Sequence, residues 1–370
     1  MRTDLRVTAP YVTRTIRTSA GISCFLLLLL LFAAASVSAQ PHYKQTNLVS
    51  DVPGLAQFTD PDLVNPWGLA ASSTSPWWVA NNETATSTLY NGSGVKQALV
   101  VTTQTGPTGI VFNGSTDFQL TSGAPATAAR FIFVSVTGMI SGWNPSVNPT
   151  QSVVKFSSTS GSVYLGATIA QSGGNNFLYA ANFSHGTIDV FDANFAPVTL
   201  GSDAFTDPQL PDGYAPFNVQ NINGDLYVAF AKVDPIKHEE EAGRGLGYVD
   251  VFDGSGTLLR RLEHVTWMNA PWGLAMAPAT GFGNASGKLL VGMFGSGYIA
   301  TFDPATGHFE GLLRSRHGRP IEIERLWALK FGNGGAAGPT TTLFFTAGIE
   351  DEEHGLFGTI TPIANGHQED

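Results

Sequence analysis

The amino-acid sequence predicts an all-β protein, a six-bladed β-propeller of four-stranded antiparallel blades, with the ring closed by the mature N-terminal strand in the last blade. Three observations carry that prediction. Of 370 residues, 42 are Gly and 21 are Pro while 43% are hydrophobic, which describes many short buried segments separated by turns. Pro66-Trp67-Gly68-Leu69-Ala70 returns as Pro271-Trp272-Gly273-Leu274-Ala275. Another kind of run ends in an aromatic and an Asp, as in Ile188-Asp189-Val190-Phe191-Asp192, Val249-Asp250-Val251-Phe252-Asp253 and Tyr298-Ile299-Ala300-Thr301-Phe302-Asp303.

Taken in order, each blade is expected to start with a copy of the Pro-x-Gly run. Looser copies are Pro107-Thr108-Gly109-Ile110-Val111, Pro216-Phe217-Asn218-Val219-Gln220 and Leu326-Trp327-Ala328-Leu329-Lys330, with a degenerate version at 165–170. Units therefore begin near residues 65, 107, 165, 216, 271 and 326. A second apolar run follows each, at 77–80, 131–136, 177–181, 226–231, 289–293 and 343–347. Short runs with partial period-2 alternation, punctuated by Gly, Pro, Asn and Asp, read as strands and tight turns. Repeats of this length read as propeller blades. The last unit supplies runs at 326–331, 343–347 and 355–362 before a polar tail at 364–370, so it is one strand short. Residues 42–50 have strand character and no repeat of their own. They are expected to complete blade six, stapling the chain ends without a disulfide; the alternative is a loose N-terminal arm.

Residues 1–39 read as an export signal. Arg14 and Arg17 precede an apolar run at 22–35, and Val37-Ser38-Ala39 offers the small residues a signal peptidase cleaves after. The run is too short for a spanning helix, which needs roughly 20 residues. The expected organisation is a signal peptide at 1–39, the propeller at 40–363 and a polar tail at 364–370, in a secreted or periplasmic protein not inserted in a membrane after cleavage. Losing the signal removes four arginines and one aspartate and takes the net charge from −10 to −13. So acidic a chain argues against a nucleic-acid partner and against docking on anionic lipid. The sole cysteine, Cys24, lies in the signal, so the mature chain has no disulfide or thiolate chemistry.

Propeller geometry places the start of each inner strand and the end of each second strand at one mouth of the channel. Residues leading into or opening inner strands include Asn65, Trp67, Asn218, Asn269, Trp272 and Trp327. Second strands end at Asn81-Asn82-Glu83, Asn182, Lys232-Val233-Asp234 and Glu350-Asp351-Glu352-Glu353, and His185, His238 and His354 follow in the next loops. These residues are candidates for binding a small molecule, a glycan or a protein at the mouth. Asn218, Asn269, Glu350 and Asp351 are the candidate oxygen ligands for a divalent cation such as calcium. The competing reading is that Asn at turns satisfies the backbone locally. The loop at 232–247 is long and carries Lys237-His238-Glu239-Glu240-Glu241 and Arg244, which suits either a lid or a solvated surface. Phe58-Thr59-Asp60-Pro61 recurs as Phe205-Thr206-Asp207-Pro208, as a loop brace or a ligand clamp. No Gly-x-Ser-x-Gly, His-Glu-x-x-His or phosphate-binding glycine loop is present.

The repeat resembles that of NHL-type propellers. The wider pattern, at 65–70, Tyr214-Ala215-Pro216-Phe217-Asn218-Val219-Gln220, the loop at 232–247, and Ala347-Gly348 followed by acidic residues and Gly355-Leu356-Phe357-Gly358, resembles a family of exported bacterial propellers. That resemblance implies the fold and export but no particular activity. Three functions stay open: a monomeric binding propeller, a metal-dependent enzyme similar to lactonase and virginiamycin-lyase propellers, where a cation polarises a carbonyl, or a purely structural surface role.

Overall fold

The computed structural model describes residues 42–121 and 127–363. The expected export signal and cleavage site and the expected polar tail lie outside the described residues. Six sheets follow one another along the chain, and their inner strands are Pro66–Ala70, Pro107–Phe112, Tyr164–Ser172, Tyr214–Ile222, Pro271–Met276 and Leu326–Phe331. In the first five blades the remaining strands pair outward in chain order. Blade four adds the two-residue strand Glu240–Glu241, paired to the second strand Asp225–Val233.

Every blade opens the same way. Each inner strand shifts register against its second strand within its first few residues. Pro lacks a ladder N–H and is tolerated at a strand's first residue or at a bulge, so the Pro-x-Gly run is the sequence imprint of this irregularity. Just before it, one backbone bond closes each hairpin at the mouth. Asn82 N donates to Asn65 O (3.0 Å), Val136 N to Gly106 O (3.0 Å), Phe183 N to Val163 O (2.9 Å), Val233 N to Gly213 O (2.9 Å), Phe294 N to Ala270 O (2.9 Å) and Gly348 N to Arg325 O (3.1 Å). Five of the six acceptors sit at positive φ: Asn65 (44°), Gly106 (62°), Gly213 (81°), Ala270 (46°) and Arg325 (50°). The expected shared face of strand starts and strand ends is thereby present six times over.

The ring closes as the sequence predicts. The N-terminal strand Tyr43–Ser50 runs antiparallel to Leu356–Pro362, from Tyr43 opposite Pro362 to Ser50 opposite Leu356. Ser50 Oγ donates to Gly355 O (2.7 Å), and the Asp51 carboxylate takes Gly355 N (2.7 Å) and meets His354 Nδ1 (2.6 Å). Tyr43 reaches across to blade five, where its hydroxyl donates to Phe282 O (3.0 Å) and accepts from Ala285 N (3.1 Å).

Apolar side chains fill the spaces between blades, as where Trp78 stacks on Phe131 at 4.2 Å. An aromatic cluster lies where the inner strands converge: Trp67 stacks on Trp327 at 3.5 Å, and Trp272 meets both edge-on. The two Phe-Thr-Asp-Pro segments are braces. Buried Asp60 pairs with Lys96 (2.7 Å) and accepts from the Tyr90 hydroxyl (2.5 Å). Buried Asp207 pairs with Arg261 (2.7 Å), which also holds Asp250 (2.7 Å). Lys96 and Arg261 each belong to an outer strand, Lys96–Thr102 and Leu258–Arg261, so both braces tie the loop before a blade to that blade's outer edge.

Candidate functional site

At the mouth where the six hairpin-closing bonds lie, a cavity of about 800 Å³ opens. One wall is apolar, built from Trp67, Val136, Val163, Leu165 and Phe183. These come from the first three blades, where Val136, Val163 and Phe183 are themselves partners in the closing bonds. The other wall is charged. Blade four contributes Asp234, Lys237, His238, Glu239, Glu240 and Glu241 from its long loop, and blade six contributes Arg325, Asp351 and Glu352.

Local backbone explains how the charged wall is held. Pairing of Lys232 with Glu241 and of Val233 with Glu240 folds the loop back on its own blade. The Asp234 carboxylate caps the turn by accepting Ile236 N (2.8 Å) and Lys237 N (3.0 Å). In blade six, Glu350 (φ 55°), Asp351 (φ 53°) and Glu352 (φ 74°) form three consecutive left-handed non-glycine residues. Such a conformation costs an L-residue roughly 1–2 kcal/mol, and stored strain of this kind concentrates at functional sites. It delivers Asp351 to Arg325 (2.6 Å) and Glu352 Oε2 to Asn65 Nδ2 (2.8 Å). Glu350→Gly, at a side chain 64% exposed, is expected to raise stability by ~0.5–1 kcal/mol. A melting temperature below that of the wild type would refute the strain.

Two carboxyls in this wall are displaced from ordinary behaviour. Burial pushes Glu240 up to about 7, with the charges of Glu352 and Glu239 adding to it and Arg325 opposing. Burial also raises Glu352, against the hydrogen bond from Asn65 and the charge of Arg325. Arg325 holds Asp351 below the usual carboxylate range.

The sequence-predicted site residues divide sharply. Trp67, Asp234, His238 and Asp351 line the cavity. Asn65 supports it from behind, donating to Glu352 and accepting from Trp327 Nε1 (3.1 Å). Trp272 and Trp327 are core residues, 4% and 0% exposed. The remaining amides are structural. Asn81 donates to Thr86 and Thr88 within its blade, and Asn82 donates to Pro107 O. Asn182 donates to Asp189 and meets His185, whose other ring nitrogen contacts Ser160 O. Lys232 donates to Asp212 O, and His354 belongs to the ring closure.

The four candidate cation ligands do not converge. Asn218 donates to Trp272 O (2.8 Å) and accepts from Val219 N, and its side chain lies where a Cβ on Gly166 would sit. Asn269 Oδ1 takes Gly243 N (2.6 Å), Asp351 is paired with Arg325, and Glu350 approaches His354, at 3.9 Å. Among the described residues no group of three or more His, Cys, Asp or Glu is placed to hold a metal ion. Arg325 and Glu240 were missed as individual site residues. The signal for Arg325 was its position directly before the blade-six copy of the repeat, equivalent to Asn65.

No family model matches the chain. Among solved structures, a streptogramin B lyase aligns with TM-score 0.50 and 10% identity, covering 88% of this chain and 98% of the other. A chain of the COPII outer coat vertex aligns with TM-score 0.54 and 12% identity, over 83% and 72%. At such identities these likenesses show the propeller fold alone. In sequence, two proteins of Acanthamoeba polyphaga mimivirus are closely similar. Uncharacterized protein R648 is 33% identical over 86% of this chain and 80% of its own length, and Uncharacterized protein L690 is 33% identical over 86% and 85%. A viral source gives no support to the bacterial assignment that the sequence resemblance implied. Identity at this level over most of both lengths means that the chain, a six-bladed propeller, belongs to the same family as R648 and L690.

Proposed function

We propose that the protein is a binding propeller whose mouth cavity takes an organic cation, an amine carried on an apolar body. The desolvated Glu240 carboxyl, facing an apolar wall across an 800 Å³ cavity, carries this reading. Arg325 is committed to Asp351, and Glu239, Glu240, Glu241 and Glu352 in the same wall offer carboxyls to a ligand's charge. Trp67, Leu165 and Phe183 offer the surface for its apolar part, and an aromatic face also attracts a cation. Residues 1–39, read as an export signal, support action in the periplasm or medium, with the mature chain working as a monomer.

Calorimetric titration with phenethylamine tests the proposal. Affinity is expected to rise between pH 6 and pH 8, because a carboxyl at about 7 is ionised only above that value. The groups around it, Glu239, Glu241, Glu352, Asp234, Asp351, Lys237, His238 and Arg325, modulate this without reversing the sign. Glu240→Gln should weaken binding roughly 10- to 100-fold, as expected for a charge-assisted hydrogen bond, and flatten the pH profile. Equal binding of phenethylamine and neutral phenylethanol, or capture of a glycan or protein instead, would overturn the amine assignment.

The same carboxyl supports a second reading. A group titrating near neutrality both donates and accepts protons at working pH, as an acid–base hydrolase or lyase needs. Turnover of a lactone panel with an inflection near pH 7 that disappears in Glu240→Gln would place this reading first.

A further inference from the structure

At the opposite end of the channel lies a second cavity, of about 550 Å³. Among its lining residues none but Lys330 carries a charge. Lys330 Nζ donates to the Gln220 side-chain carbonyl (2.8 Å) and has no carboxylate within salt-bridge distance among the described residues. Withdrawing an ammonium from water without a counter-charge is costly, and burial pulls Lys330 down to about 8. Around this donor stand Trp77, Ile110, Phe112, Ile169 and Phe331. Between the two mouths the channel narrows to a space of about 20 Å³ lined by Leu69, Leu274 and Leu329, so this cavity is separate from the cation site proposed above.

We propose that this cavity is a binding site for a small monocarboxylate with an apolar body, its carboxylate accepting from Lys330 Nζ. The carboxylate supplies the missing negative charge to the ammonium. The hydrocarbon walls take the rest of the molecule. Simple anions such as phosphate share the charge but make no use of those walls.

The test is a titration of the full chain with benzoate, with benzamide and inorganic phosphate as controls, followed on ¹³C-methyl groups introduced on the lysines by reductive methylation. The Lys330 resonance is assigned by its absence in Lys330→Met. Benzoate is expected to move that resonance saturably and to raise its titration midpoint, whereas benzamide moves neither. In the two variants, which lack that resonance, benzoate binding is read by calorimetry: Lys330→Met should bind at least 10-fold more weakly and Lys330→Arg should retain most of the affinity. Unfolding curves matching the wild type show that each variant is folded. A Lys330 resonance indifferent to benzoate, or equal binding by Lys330→Met, overturns the proposal. A response to phosphate as strong as that to benzoate overturns the apolar part of the assignment.

Discussion

A chain that starts at Asp51, lacking the strand Tyr43–Ser50, is expected to lose its cooperative unfolding transition. The strand contributes Tyr43, Leu48 and Val49 to the interior, at 4%, 5% and 0% exposure, and covers one edge of Leu356–Pro362. Full burial of such a side chain is worth about 1.5–3 kcal/mol, and the pairing of seven strand residues with Leu356–Pro362 goes with it. The sum approaches the ~5–15 kcal/mol that stabilises a whole domain. It also leaves an unpaired apolar edge, a template for aggregation. Tyr43→Phe is the graded version. It removes one hydroxyl that both donates to Phe282 O and accepts from Ala285 N, and should cost ~1–3 kcal/mol with cooperativity intact. Calorimetry of the three chains checks both claims. A truncated chain that melts sharply within a few degrees of the full one would show that blade six stands without the first strand.

Arg261→Ala should be the most damaging single substitution away from the cavities, at about 3–5 kcal/mol. One guanidinium, 18% exposed, holds Asp250 and Asp207, whose side chains are 0% and 3% exposed. Removing it strands two buried carboxylates. Burial already raises Asp250 above its ordinary value, and the bonds and charge of Arg261 are what hold that rise back. In the variant Asp250 rises further, so the folded state binds a proton more readily than the unfolded one. Stability then falls as pH rises through the folded value. The variant should recover part of its loss when the solution is acidified toward the unfolded carboxylate value, near 4. Urea unfolding of both proteins at pH 5 and pH 8 measures this. A loss unchanged or larger at pH 5 would refute the account. Lys96, in the matching brace of blade one, is more exposed at 33%, and Asp60 keeps the Tyr90 hydroxyl, so Lys96→Met should cost distinctly less.

The fold was legible because its signal is repeated. Pro66-x-Gly68, Pro107-x-Gly109 and Pro271-x-Gly273 mark a backbone irregularity that all six blades share, and in these three blades the same residues write it. Blade three, opening on Tyr164 without a Pro, was still found from its neighbours' spacing. The site was legible only in outline. Position in the repeat put Trp67, Asp234, His238 and Asp351 at the mouth where the cavity opens. It could not separate residues that face the cavity from residues that build its rim. Asn81, Asn182 and Asn218 have the same composition and placement as ligands would, yet each amide serves a backbone or side-chain partner inside the ring. Which Glu of the blade-four loop loses its water depends on the short pairing of Val233 with Glu240, a long-loop register that no local pattern encodes. Lys330 sits in an ordinary apolar repeat, and only the absence of a carboxylate beside it among the described residues distinguishes it.

The pairing of Tyr43–Ser50 with Leu356–Pro362 also sets a timetable. The first strand of the ring to leave the ribosome is the last that can find its partner, since some 300 residues separate the two. Until the sixth blade is made, the chain carries an open arc with a bare edge at each end. Such distant contacts slow folding and lengthen exposure to aggregation. Under the proposal that residues 1–39 direct export, the delay is useful: an arc unable to close is slack enough to be threaded across a membrane, with closure on the far side.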